Sequence, residues 1–335
     1  MKHAAAYASL GNVEMQVVCD SNSINAQNMA GQYKFRRVEF DWKKAVSADD
    51  VDVVCICVPN HMHFEIAKAA ILAGKNVVCE KPLGMNSKES AELSELAAAH
   101  SVRTKCCFNL IHAPAIQFIK AVIDRGELGD VVCFRGAYDN DRLSDPNRFF
   151  EWRMSKKISE GGSICDLGLN IIAISQFLLG DIISVAAMTN VIYKERLDNN
   201  GNLCEVENDD IAQLIYKYKN TGIGYISCNR VAPGSKQDMK LEIQFTQGAI
   251  RYSLERMNEV RIFRTGNRGF ETIISDDNGW FNIGYEDLKV LDADSFISSI
   301  VAQKVSDTDF CFATKIDRII EAVLEAANEQ AWIKI

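Results

Sequence analysis

The chain has 335 residues, of which 47% are hydrophobic and 24% are charged, so it can fill two hydrophobic cores and does not have a disordered composition. The formal net charge of −8 and the lack of a Lys/Arg block argue against a nucleic-acid-binding surface. No apolar run reaches the roughly 18 residues of a membrane span, and the first residues lack the cationic and apolar regions of a signal peptide, so we expect neither.

The first third of the chain alternates helices with strands. Residues 51–58 (VDVVCICV) form a continuous apolar run ending at Pro59, which is typical of a parallel strand covered on both faces. Strands that alternate with helices predict a doubly wound parallel sheet. The predicted strands are residues 14–19, 35–40, 51–58, 76–79 and 103–108, and the predicted helices are residues 2–10, 25–33, 42–48, 63–73, 87–99 and 114–125.

After Gly129 the strands become longer and are linked by turns. KNTG at 219–222 and TQG at 246–248 have the composition of hairpin turns. We therefore predict two domains, an α/β domain over residues 1–113 and an α+β domain with a mostly antiparallel sheet over residues 114–335. Its predicted strands are residues 131–138, 183–193, 210–218, 222–229, 240–246, 249–254 and 260–264, and the remaining helices are residues 163–179, 293–303 and 315–327.

The eleven cysteines contain no C-x-x-C pair, so the spacing of a metal site is absent and no metal is predicted. Most of them lie in apolar strand-like runs such as VVCICV and NVVCE, which predicts buried thiols that act as small hydrophobic side chains. So many free thiols favour a reducing compartment, and we expect a cytoplasmic protein.

A charged segment, CEKPLG at 79–84, follows one of the apolar strands. It lies at the carboxyl edge of the predicted sheet, where ligands bind in open α/β folds. Lys81, held there and partly desolvated, is suited to acid–base chemistry near neutral pH. The alternative is a solvated lysine in a loop.

Two further segments place polar side chains at element ends. Asn60 and His63 follow the apolar strand at 51–58 and could face the same crevice, although such a histidine also occurs as a helix cap or a packing residue. Asp166 and Asn170 are four residues apart and share one helix face. An acid in the first helical turn is also favoured by the helix dipole alone, so both interpretations stay open.

The order and spacing of these segments resemble the Gfo/Idh/MocA family, which includes glucose–fructose oxidoreductase and inositol dehydrogenase. The resemblance runs from residue 3 to the C-terminus. It implies an N-terminal Rossmann domain and a C-terminal α+β domain whose sheet often mediates oligomers, so we expect a homo-oligomer, a dimer or tetramer, formed through that sheet. The matching segments are VVCD (17–20), VPNHMHFEIAKAAILAGKNVVCEKPL (58–83), FNLIHAPAIQFIKAVIDRGELG (108–129), YDNDRLSDPNRFFEWR (138–153), GGSICDLGLN (161–170) and EIQFTQGAIRYSLERMNE (242–259).

The resemblance implies specific roles. Asp20 matches the acid that binds the adenosine ribose hydroxyls and favours NAD over NADP. Lys81, in the family's EKP motif, would lie beside the nicotinamide and the substrate, and Asp166 would contact the substrate. The residues implied at the cofactor are Asp20, Val58, Pro59, Asn60, His63, Glu80, Lys81, Pro82, Asn109, Trp152 and Arg153.

The sequence departs from the family pattern in four places. The first strand and the GxGxxG turn, about fifteen residues in all, are absent before Lys2. Asn170 stands in place of the family histidine, and an asparagine can orient a hydroxyl but cannot accept its proton. Ala173 replaces an acid three residues later, and Ile111 replaces a frequent arginine.

Together these features lead us to expect an NAD(P)-dependent oxidoreductase that acts on a secondary hydroxyl of a sugar, cyclitol or related polyol. Lys81 would be the general acid/base, balanced by Asp166, with Asn170 positioning the reacting oxygen. The alternative is a non-catalytic family member, a sugar-binding or assembly subunit without a complete cofactor site. Titration with NADH distinguishes the two.

Overall fold

A computed structural model of the chain describes residues 2–274 and 283–335. Up to residue 124 the elements are α1 (Lys2–Ala8), β1 (Val17–Cys19), α2 (Ser23–Tyr33), β2 (Arg37–Glu39), α3 (Trp42–Val46), β3 (Val53–Ile56), α4 (His63–Leu72), β4 (Asn76–Cys79), α5 (Ser87–Ala99), β5 (Thr104–Cys106) and α6 (Pro114–Asp124). The later elements are β6 (Val131–Asp139), α7 (Leu169–Leu179), β7 (Ile182–Asn190), β8 (Glu195–Leu197), β9 (Leu203–Glu205), β10 (Ile211–Tyr218), β11 (Ile223–Asn229), β12 (Asp238–Phe245), β13 (Gly248–Ser253), β14 (Val260–Arg264), β15 (Glu271–Ile273), α8 (Asp287–Val301), α9 (Phe310–Glu329) and β16 (Ile333–Lys334).

The chain forms two compact units. The first contains residues up to His112 together with residues 284–317, and the second contains the described part of residues 113–283 together with residues 318–335. The first segment of the first unit ends at His112, next to the predicted boundary at residue 113, and a C-terminal segment that includes α8 also belongs to this unit. No helix among the described residues is both long and apolar enough to cross a membrane.

The first unit carries the predicted parallel strands, arranged in two sheets. β1 pairs with β2, and β3, β4 and β5 form a second sheet in that order, with every pair parallel. The helices between these strands end where the sequence provides stop and start signals: Gly74 takes a φ of +72° after α4, and Asn86 accepts a hydrogen bond from the Glu89 amide at the start of α5. The doubly wound α/β class is therefore confirmed.

The prediction that the 51–58 run is covered on both faces is wrong. Within β3, Ile56 is buried, Val53 and Val54 are partly exposed, and Cys55 is exposed. The reason is the position of the strand, because β3 pairs only with β4 among the described residues. A strand at the edge of a sheet is covered less completely than a central one.

The same finding corrects the prediction of buried cysteines. Burial holds for Cys79, Cys106, Cys107, Cys165 and Cys228, all within apolar segments. All eleven cysteines are free thiols, of which Cys19, Cys133 and Cys204 are partly exposed and Cys55, Cys57 and Cys311 are exposed.

The second unit is built on a nine-stranded sheet in the order β15-β14-β13-β12-β6-β11-β10-β7-β16. Every neighbouring pair is antiparallel except β6 and β11, which confirms the mostly antiparallel sheet. Side chains of β10 alternate between buried and exposed from Ala212 to Tyr218, as expected for a sheet with one covered face. Both predicted hairpin turns join antiparallel strands, β10 to β11 and β12 to β13.

Helix α7 covers this sheet. A Cβ on Gly136 of β6 would lie 2.6 Å from Ile171 of α7, so the glycine permits the close approach of helix and strand. The predicted helix 163–179 begins with a π-helical turn over Ile164–Gly168 before the regular turns of α7. Such turns have an extra residue and occur frequently at functional sites.

Candidate active site

The EKP segment follows β4 directly, at the carboxyl end of the three-stranded parallel sheet. Asp317 anchors the end of this loop: its buried carboxylate accepts hydrogen bonds from the Gly84 amide (3.3 Å) and the Ser90 hydroxyl (2.5 Å). Lys81 itself is partly exposed, while Pro82 is buried. The segment therefore presents one cationic side chain from a fixed loop at the sheet edge where ligands bind in this fold class.

Glu80 belongs to an ion-pair network. His3 Nε2 lies 2.5 Å and Lys289 Nζ 3.0 Å from Glu80 Oε1. Burial alone would raise the pKa of Glu80, but the hydrogen bond from His3 and the charge of Lys289 hold it well below its usual range. Burial alone would lower the pKa of His3, but the hydrogen bonds with Cys57 and Glu80 raise it to about 9. Glu80 is thus an ionised carboxylate at neutral pH.

His63 joins the ends of β3 and β4. Its ring is fully buried, with Nδ1 2.7 Å from the Pro82 carbonyl oxygen and Nε2 2.9 Å from the Val58 carbonyl oxygen. Each ring nitrogen lies within hydrogen-bonding distance of a carbonyl oxygen, so the imidazole bridges the two loops. In this position His63 fixes the crevice walls through the backbone of the residues predicted to contact the cofactor.

The other predicted cofactor residues of the first unit lie at strand or helix ends. Asp20 comes directly after β1, and its carboxylate accepts a hydrogen bond from the Asn22 amide at 2.8 Å. Asn60 opens the 3₁₀ turn after Pro59 and is buried, and Asn109 opens the 3₁₀ turn after β5 and is partly exposed. The three side chains therefore follow β1, β3 and β5 at their carboxyl ends.

In the second unit, Asp166 and Asn170 stand out from a buried segment. Every residue from 161 to 176 is buried except these two, which are both partly exposed. Asn170 Nδ2 donates to the Asp166 carbonyl oxygen at 3.0 Å, across the π-helical turn. The amide oxygen of Asn170 accepts from no described residue, so it is available to a hydroxyl.

Arginine side chains surround the Asp166 carboxylate. Arg142 Nη1 is 3.8 Å from Oδ2, and Arg153 Nε is 3.9 Å from Oδ1. Arg153 also stacks on Trp152, with the guanidinium carbon 4.1 Å from the ring centroid, and Arg142 pairs with Glu151. The predicted WR pair therefore lies beside the predicted substrate acid within one unit.

The sequence did not reveal the residue that holds this turn. Asp209, which is buried, accepts hydrogen bonds from the amides of Gly162 (2.8 Å) and Ile164 (3.1 Å) and from the hydroxyl of Ser163. A Cβ on Gly162 would lie 1.8 Å from the Asp209 carbonyl oxygen, so only glycine fits there. The signal in the sequence is weak, since Asp209 belongs to an acidic NDD run that precedes β10.

Comparisons with known proteins agree with this arrangement. The description "Oxidoreductase family, NAD-binding Rossmann fold" matches residues 1–108, and "GFO/IDH/MocA C-terminal domain" matches residues 116–251. The structure of an NAD binding oxidoreductase from Klebsiella pneumoniae is 30% identical, with a TM-score of 0.93 over 100% of this chain and 93% of that one. The chain belongs to the Gfo/Idh/MocA oxidoreductase family.

Another relative has a stated substrate in its name. Levoglucosan dehydrogenase from Pseudarthrobacter phenanthrenivorans is 27% identical over 347 residues, covering 96% of this chain and 89% of the relative. The structure of a levoglucosan dehydrogenase in complex with NADH and levoglucosan is 27% identical, with a TM-score of 0.95 over 100% of this chain and 95% of that one. As a family member, this chain has the NAD-binding Rossmann fold of sugar and polyol dehydrogenases.

Proposed function

We propose that the chain is an NAD-dependent dehydrogenase that oxidises a secondary hydroxyl of a sugar or cyclitol, or reduces the corresponding ketone. This proposal rests on one observation: within the buried segment 161–176, Asp166 and Asn170 are the two residues that are partly exposed. A carboxylate and an amide oxygen four residues apart on one helix face can each bind one hydroxyl of a polyol. Levoglucosan dehydrogenase, whose name gives a sugar substrate, supports that substrate class.

The residues of the first unit fit the two ends of a nicotinamide dinucleotide. Asp20 follows β1, and a carboxylate at this point of a Rossmann fold hydrogen-bonds the ribose hydroxyls, which favours NAD over NADP. Asn60, Asn109 and the loop of Lys81 follow β3, β5 and β4, so polar groups line the same sheet edge. When bound, the cofactor supplies hydride transfer chemistry.

The proton is moved by the protein. In oxidation, Lys81 in its amine form accepts the proton of the reacting hydroxyl, and in reduction its ammonium form returns it. Asp166 binds the substrate and balances the positive charge of the ammonium. Asn170 positions the reacting oxygen by hydrogen bonding, because its amide does not take part in proton transfer.

Homo-oligomerisation through the nine-stranded sheet is part of the same proposal.

The first experiment is titration of the full chain with NADH, followed by nicotinamide fluorescence. We expect saturable binding, weaker with NADPH because the Asp20 carboxylate repels a 2′-phosphate. Asp20→Asn should reduce the preference between the two cofactors. Absence of binding at millimolar NADH would contradict the enzyme proposal and favour a non-catalytic family member.

The second experiment measures NAD reduction with levoglucosan and a panel of other sugars and cyclitols. Lys81→Ala should lower kcat by at least 100-fold, because general acid–base catalysis contributes about 10²–10⁴. NADH binding should persist. Lys88→Ala removes an exposed lysine from the first turn of α5 and is the matched control, expected to keep the wild-type rate. A Lys81→Ala enzyme with near-native turnover would refute the assignment.

A further inference from the structure

The described structure has a cluster of metal-binding side chains that the sequence spacing did not predict. A ring nitrogen of His3 and the Sγ atoms of Cys55 and Cys57 all lie within 4.8 Å of one another. Cys55 lies in β3 and Cys57 follows two residues later, so both side chains project to the same face of the strand. From this geometry we infer that His3, Cys55 and Cys57 form a binding site for a thiophilic divalent cation, Zn²⁺ in the first place.

The distance between the sulfur atoms fits a tetrahedral ion. Two thiolates at about 2.3 Å from a tetrahedral zinc lie about 3.8 Å apart. The Sγ atoms of Cys55 and Cys57 are 3.7 Å apart. A disulfide would bring them to about 2.0 Å. The same spacing suits a thiol–thiol hydrogen bond, but the imidazole beside both sulfurs completes a Cys₂His ligand set, which is typical of zinc.

The surrounding charges support the site. His3 Nε2 donates to Glu80 Oε1 at 2.5 Å, which orients the ring, and a bound cation would displace the proton from Nδ1 so that this nitrogen becomes the ligand. This is the carboxylate–histidine arrangement that commonly supports a metal ligand. Glu80 is itself neutralised by Lys289 at 3.0 Å. Two thiolates and one neutral imidazole then balance the charge of a divalent ion.

The site is open to solvent. Both cysteines are exposed, which provides an entry path from solvent. Three protein ligands leave a fourth position for water or another small ligand.

The test uses the reduced full chain with Zn²⁺ and with Co²⁺. We expect one Zn²⁺ per chain in competition with a chromogenic chelator, and a sulfur-to-cobalt charge-transfer band when Co²⁺ is added. Cys55→Ser, Cys57→Ser and His3→Ala should each weaken Zn²⁺ binding by at least tenfold, and Glu80→Gln by about tenfold. Cys311→Ser, which removes another exposed thiol of the same unit, is the control and should bind as the wild type does.

A second measurement needs no substitution, so it does not depend on the folding of the variants. Iodoacetamide should alkylate Cys55, Cys57 and Cys311 in the metal-free chain, because all three are exposed. Zn²⁺ should protect Cys55 and Cys57 by at least tenfold and leave Cys311 reactive, as measured by peptide mass spectrometry. Equal alkylation with and without Zn²⁺, equal protection of Cys311, or a cobalt spectrum without a thiolate band would overturn the inference.

Discussion

The aspartate that holds the π-helical turn offers a quantitative test of how the substrate-binding face is built. In Asp209→Ala, two backbone amides and one hydroxyl lose a buried carboxylate acceptor. Each hydrogen bond to a charged group contributes about 1.5–3 kcal/mol, or roughly 4.5–9 kcal/mol for three if they were additive. Relief of the buried charge and entry of water offset roughly half of that sum, so we expect the turn to lose about 3 kcal/mol.

A loss of about 3 kcal/mol corresponds to roughly 100-fold more frequent local opening. Amide hydrogen exchange with mass spectrometry should show that increase for the Gly162 and Ile164 amides. Asp209→Asn keeps one acceptor oxygen, so its amide exchange rates should lie between those of the alanine variant and wild type. Asp130→Asn, at an exposed position of the same unit, is the matched control and should exchange as wild type does. Unchanged protection of residues 161–168 in Asp209→Ala would refute the reasoning.

Three further predictions concern buried contacts. Burial and the charge of Lys105 lower the pKa of His112 to about 3, so on acidification the unfolded state takes up the proton first. This contribution to stability is complete above pH 6.5, and the free energy of unfolding should fall by about 2 kcal/mol by pH 5. Urea midpoints compared at the two pH values should show this loss in wild type but not in His112→Gln. Arg230→Met leaves the Asp210 carboxylate, 3.0 Å from Arg230 Nε and equally buried, without its cation, and should cost about 3–5 kcal/mol in thermal or urea unfolding, whereas a wild-type unfolding midpoint would exclude a structural ion pair. Gly162→Ala should yield little folded protein because its Cβ meets a main-chain oxygen at 1.8 Å, and recovery of a normally stable variant would show that the two backbones can separate.

The class of the fold was predictable from local patterns. Alternation of apolar residues, glycine after α4, and the turns KNTG and TQG specify element types, because side-chain period and turn conformation are properties of a few consecutive residues. The short hairpin of β8 and β9 was not predicted. Its strands have three residues each, which is too short for an alternating pattern to be recognised.

Exposure was less predictable than element type. The run VVCICV looks like a strand covered on both faces, yet Cys55 and Cys57 are exposed because β3 pairs on one side among the described residues. The hydrophobicity of a strand shows which faces it could bury, whereas the elements that pack against it determine which faces are buried. For the same reason the proximity of His3 to these cysteines could not be predicted, since His3 lies in α1 and the cysteines are more than 50 positions away in sequence.

The candidate site was predictable where a motif gives its residues and not where the support comes from distant residues. Lys81, Asp166 and Asn170 belong to motifs, and the structure puts each at an element end or on a partly exposed face. Their supporting contacts come from Asp317, 233 residues after Gly84, and from Asp209, 47 residues after Gly162. Both are buried carboxylates that accept hydrogen bonds from backbone amides, an arrangement that fixes a loop more rigidly than surface contacts do. The chemistry proposed for Lys81 and Asp166 therefore depends on two buried acids outside the motifs, and hydrogen exchange in the Asp209 variants tests the contribution of one of them.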